Sequence, residues 1–179
     1  MTLYTSRDLA VIAVFAAVNF VVMKLTGPIH PFLPFSTLAL FGWLFAFLAV
    51  FPYLATGKVG AAGLSVFIGY ILVYATGPFP PFLFQTALGP ALMEAAIGSA
   101  AVLGARRGAV VAGLVGGSYM LGRVVGGVLG AYLFLPPIVH VIQEFLVPFI
   151  SFIVVPAIVE GVVGGIVAHR VYASRVVRR

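Results

Sequence analysis

The sequence predicts an all-α membrane protein. It is a single integral membrane domain over residues 1–179, with six transmembrane helices, both termini in the cytoplasm and a short interfacial segment before the last helix. Three observations predict this. The chain is 63% hydrophobic and 8% charged, where a soluble domain is about half apolar and about a quarter charged. Its apolar stretches are each about as long as a bilayer-spanning helix, and clusters of glycine and proline separate them. Its basic residues segregate: Arg7, Lys58, Arg106-Arg107 and the tail arginines share one side of a six-span chain. The opposite connections hold no Lys or Arg, although Lys24 lies near the outer end of the first span. The positive-inside rule makes the basic side cytoplasmic. The net charge of +6 is thus a topology signal and not a nucleic-acid one. With no cysteine there is no disulfide framework and no thiolate metal site.

The first span covers residues 8–25. Thr5-Ser6-Arg7-Asp8 offers hydroxyls and an acid at its start, which suit a helix amino terminus. Gly27-Pro28-Ile29-His30-Pro31 follows it where a small-residue cleavage region would otherwise stand, so a span is predicted and not a cleavable signal peptide. The second span, 35–54, closes at Ala55-Thr56-Gly57-Lys58, and the third, 60–75, stops at Gly77-Pro78-Phe79-Pro80-Pro81. The fourth and fifth, 84–105 and 108–134, meet at a tight turn through Arg106-Arg107-Gly108. Residues 136–147 form the interfacial segment. The sixth span, 148–169, has Pro148 in its first turn and Pro156 inside, where a kink is predicted.

Small residues set the packing. Gly113 and Gly117, then Gly122, Gly126 and Gly130, repeat at GxxxG spacing on the fifth span, as do Gly161 and Gly165 on the sixth. Such spacing lets backbones approach closely, here within this one chain. Ala10, Ala13, Ala16 and Ala17 give the first span a smooth stripe, with an AxxxA at Ala13 and Ala17. Internal packing and a partner explain that stripe equally well on spacing alone.

The charges inside the spans carry the chemistry. Counted from Phe84 and Phe134, Glu94 and Arg123 both fall roughly 15–17 Å down their helices, near mid-bilayer. A charge at that depth faces a partner, a cavity or a substrate by default. Glu160, about 18 Å down the sixth span, reaches the same level. Two acids and one base predict a net negative site for a cationic or hydrogen-bond-donating ligand. Trp43, Tyr70, Tyr74, Tyr119 and Tyr132 are available for cation–π contact. The competing reading is a structural Glu94–Arg123 pair that ties helices together. Gln85 lies near the outer end of the fourth span, and His140 and Glu144 share an i, i+4 face of the interfacial segment. That face reads as a solvated rim more readily than as a metal site. Without HExxH, GxSxG or a phosphate-binding glycine-lysine loop, no enzyme, cofactor or metal is expected.

The span count, both ends inside and the AxxxA at Ala13 and Ala17 together resemble the S components of energy-coupling factor (ECF) transporters. These are substrate-binding membrane subunits for vitamin uptake. Gly60-Ala61-Ala62-Gly63-Leu64, Gly77-Pro78, Gln85 with Leu88-Gly89, Glu94 and Gly116-Gly117-Ser118 are similar to the hydroxymethylpyrimidine/thiamine type. The spacing from Gly89 to the acid is longer here than in that type. The resemblance implies capture of a small vitamin or precursor, with thiamine or hydroxymethylpyrimidine first, from outside the cell membrane. It implies docking of Ala13 and Ala17 on a transmembrane coupling subunit, which two ATP-hydrolysing subunits drive. The alternatives are a structural or assembly membrane protein without a ligand, and a self-sufficient secondary transporter. An inverted repeat would favour the latter, and no clear one is present.

Overall fold

The computed structural model describes residues 4–26, 36–77, 83–105 and 108–176. Those residues form helices and no strand. The predicted turn at Arg106-Arg107 and the loops at 27–34 and 78–81 lie outside them.

Helix α1 (Ser6–Thr26) starts on a reciprocal cap. The Thr5 N–H and hydroxyl both donate to Asp8 Oδ2 at 2.8 Å, and the Asp8 N–H donates back to Thr5 Oγ1. This satisfies amide groups that a helix start leaves open. Helix α2 (Ser36–Thr56) ends at Gly57, whose φ of 70° a side chain would disfavour. Gly60, at φ 91°, then turns the chain into α3 (Ala61–Ala75). Helices α4 (Leu83–Val102) and α5 (Ala109–Phe134) follow. Helix α6 (Pro136–Glu144) is the short segment expected before the last span.

The last span is composite: α7 (Leu146–Phe149), one π turn over Ile150–Val154, and α8 (Val155–Val176). Pro156 has no N–H to offer the preceding turn. A π turn widens the ring beside it and absorbs the mismatch without ending the helix. The kink expected at Pro156 is therefore realised as a change of helix winding just before it.

Among the described residues, three helical stretches are long and apolar enough to cross a membrane: Ser6–Thr26, Ala109–Phe134 and Leu146–Ser174. Leu40–Thr56 and Ala61–Ala75 are apolar but shorter. Helix α4, diluted by Gln85, Thr86, Pro90 and Glu94, is not among them. Large apolar side chains cover the outside, including Val14 and Val21 on α1, Leu114 and Leu121 on α5, Phe152 in the π turn and Val159 on α8. Such a surface fits a lipid bilayer.

Helix α5 lies between α4 and α8; α8 also packs on α2, and α1 on α3 and α2. Glycine faces make these contacts close. A Cβ at Gly122 or Gly126 would strike the backbone of α4 at Leu88-Gly89 or at Phe84-Gln85. On the other side of α5, Gly116 abuts the Gly161 carbonyl, and Gly165 abuts that of Ala112. Gly164 abuts the Trp43 carbonyl of α2. The GxxxG repeats thus serve packing inside this chain.

Candidate functional site

The four acidic side chains of the chain separate into different environments. At the end of the bundle that carries Lys58, Asp8 Oδ2 lies 2.7 Å from Lys58 Nζ. The Tyr4 hydroxyl donates to the Val59 carbonyl at 3.0 Å. Glu94 belongs to this group. Its carboxylate accepts the N–H groups of Gly60 at 2.7 Å and Gly63 at 2.5 Å, so it caps the amino end of α3 from α4. Gly63 is small because the Glu94 side chain lies where its Cβ would be. The other two acids lie elsewhere. Glu160 accepts the backbone N–H of Trp43 at 3.2 Å, against Gly42. Glu144 is exposed on α6, as is His140.

Glu94 and Arg123 are therefore not a pair, and the reason is stagger. The glycine seats place Gly122 against Leu88-Gly89 and Gly126 against Phe84-Gln85. Phe84 thus lies level with Gly126 and not with Phe134, although the Phe84 and Phe134 rings lean together at 6.5 Å. Continued along the antiparallel helices, that register leaves Glu94 roughly 10 Å beyond Arg123, toward the Lys58 end. The expected net negative site of two acids and one base is not formed.

Arg123 instead sits alone in the interior, only 3% exposed. Its guanidinium lies 4.4 Å from the centre of the Phe45 ring and 5.7 Å from that of Tyr119. Among the described residues, Nε and Nη1 have no hydrogen-bond acceptor, and none of the four carboxylates pairs with the group. Tyrosines from two helices extend the cluster. Tyr119 interacts electrostatically with Arg123 and with Tyr70 of α3, and Tyr70 with Tyr74. None of the three hydroxyls reaches hydrogen-bond geometry. Tyr74 lies beside Thr86 of α4. Toward α1, Ser65 Oγ and both polar atoms of Asn19 are likewise buried and unpartnered, with Asn19 against Gly69.

Magnitudes show what this arrangement lacks. Cation–π contacts return about 0.5–2 kcal/mol. The effective penalty for burying an unpaired ion is several kcal/mol, and each orphaned polar group adds about 1–3 kcal/mol. Native interiors seldom leave so many groups unmet in one place. A molecule that offers acceptors to Arg123 and to the tyrosines would meet them.

Of the side chains the sequence points to, the structure gathers Arg123, Tyr119, Tyr70 and Tyr74, with Gln85 buried on the adjoining helix. Glu94, Glu160, His140 and Glu144 lie outside the cluster. Trp43 is 42% exposed and reaches Glu160 only through its backbone, while Tyr132 faces outward. Phe45, Ser65 and Asn19 were not expected. Asn19 is the one with a sequence signal, as a lone amide in an apolar run. Ala13 and Ala17 are exposed on α1, while Ala16 turns inward. Among the described residues no three metal-ligating side chains converge. A surface depression lined by Ala95, Gly98 and Ser99 near the end of α4 includes no charged group. Compared with protein-family models, with curated proteins and with solved structures, the chain matches none of them.

Proposed function

We propose that this chain is the substrate-capture subunit of an uptake transporter of the ECF type, with six spans and both termini in the cytoplasm. The observation that carries the reading is the cluster of buried, unpartnered polar groups around Arg123, Tyr119 and Tyr70 inside an otherwise apolar helical bundle. A purely structural membrane protein gains nothing from leaving such groups unmet, whereas a binding subunit needs them open for its ligand. The vitamin-class ligand is captured from outside, and ATP hydrolysis by two partner subunits powers its release.

Helix α1 supplies the docking face for the transmembrane coupling subunit. Ala10, Ala13 and Ala17 are exposed there beside Leu9, Val14 and Val18, so a partner helix can approach closely. The thiazolium expected from the thiamine-type likeness loses its acid in this arrangement, because Glu94 is engaged at the α3 amino end.

Two measurements test the proposal. Small molecules carried through purification and identified by mass spectrometry are expected at near-stoichiometric amounts. Ala13→Trp with Ala17→Trp is expected to abolish co-purification with a coupling subunit and to leave that bound molecule in place. Loss of the bound molecule in the double variant would instead mean that these alanines serve internal packing.

A further inference from the structure

The capture reading above leaves the chemical class of the ligand open, and the following inference rests on that reading. We propose that Arg123 anchors the anionic group, carboxylate or phosphate, of a small water-soluble ligand held between α2, α3, α4 and α5.

The argument is one of elimination over the chain's own charges. Arg123 is a guanidinium buried to 3% exposure, with Nε and Nη1 both lacking an acceptor. The chain holds only four acidic side chains, and each has another position. Asp8 is ion-paired to Lys58, Glu94 is bound by the amides of Gly60 and Gly63, Glu160 accepts from Trp43, and Glu144 is exposed on α6. No side-chain carboxylate remains to neutralise Arg123.

The surroundings complete a receptor for an anion. The Tyr119 and Tyr70 hydroxyls are buried beside each other and beside the guanidinium, and neither reaches full hydrogen-bond geometry. A guanidinium presents a planar set of donors that matches a carboxylate or phosphate, and hydrogen bonds between the two charged groups are among the strongest available. Phe45 closes one face of Arg123. A cation finds the reverse: a like charge, and no carboxylate within the cluster.

The test uses the full chain purified in detergent after expression in cells, compared with Arg123→Met and Arg123→Lys. Each protein is denatured, and the released molecules are analysed in both ion modes. Phosphorus content separates a phosphate from a carboxylate, and solvent extraction separates a lipid headgroup from a soluble ligand. The expected result is a water-soluble anion at near-stoichiometric yield from the unmodified protein. Its yield should fall at least tenfold in Arg123→Met and be partly kept in Arg123→Lys. A released ligand that is neutral or cationic overturns the inference and leaves the capture reading standing. So does an anion whose yield is unchanged in Arg123→Met, or one that is only a phospholipid. Release of nothing from the unmodified protein overturns both. If Arg123→Met fails to fold, the charge of the ligand from the unmodified protein and its yield from Arg123→Lys still decide.

Discussion

Two polar regions of this bundle are built to opposite rules. At the Lys58 end, every carboxylate has donors: Asp8 has Lys58 and Thr5, and Glu94 has the amides of Gly60 and Gly63. Around Arg123, deeper inside, Nε, Nη1 and three tyrosine hydroxyls reach no hydrogen-bond partner among the described residues. The first region closes a helix amino end and joins α1, α3 and α4 to the connection between α2 and α3. The second region stabilises nothing by itself. Satisfied polar groups mark what holds the fold together, and unmet ones mark what the fold holds open for something else.

The contrast can be broken by substitution. Glu94→Ala removes the acceptor of two amides and should lower stability by about 2–4 kcal/mol, read as a drop in melting temperature in detergent. Glu94→Gln should follow in part, because its NH2 faces a donor where the carboxylate had an oxygen. Ligand affinity of the folded fraction should hardly change. An affinity loss without loss of stability would move Glu94 into the binding site and erase the distinction between the two regions.

Arg123→Met should act in the other direction. Replacing an unpaired buried charge with an apolar chain of similar volume should raise the melting temperature of ligand-free protein, by the equivalent of about 1–3 kcal/mol. With bound ligand the order should reverse, because the ligand stabilises only the form that binds it. A lower melting temperature of Arg123→Met in both states would show that the guanidinium serves the fold.

The Asp8–Lys58 pair should give the smallest effect. Both side chains are partly open, Lys58 at 19% and Asp8 at 12% exposure. A double-mutant cycle with Asp8→Asn and Lys58→Met should therefore yield only a weak coupling, reduced further by salt. A coupling several times larger and insensitive to salt would mean that this end is as enclosed as the interior around Arg123.

Much of the architecture was legible in the sequence, because glycine, proline and long apolar runs punctuate it. The helix bounds fall within a few residues of the apolar runs, and Thr5 and Asp8 form the cap their spacing implies. Arg123 and Tyr119 could be singled out because polarity inside an apolar run is conspicuous. Their relation to Glu94 could not be read. Depth counted along one helix says nothing about how far its neighbour slides, and here Gly122 and Gly126 set that slide against α4. Nor does the sequence reveal that a carboxylate within a span reaches the amino end of another helix, as Glu94 does. Ser65 passes unnoticed between larger signals, whereas Asn19, a lone amide in an apolar run, is a signal the charged residues overshadow.

The glycine seams on α5 have a mechanical consequence. At Gly122 and Gly126 on one side of the helix and at Gly116 on the other, backbone lies directly against backbone, with no side chain between to deform. Sliding α5 by a single residue, about 1.5 Å, would drive a side chain into a neighbouring carbonyl. Helices α4, α5 and α8 therefore behave as one rigid plate, and Arg123, standing between Gly122 and Gly126, is a fixed post on it. Any movement that admits a ligand to that post belongs to the walls facing it, α2 with Phe45 and α3 with Tyr70, which meet Arg123 and Tyr119 through rings rather than through backbone.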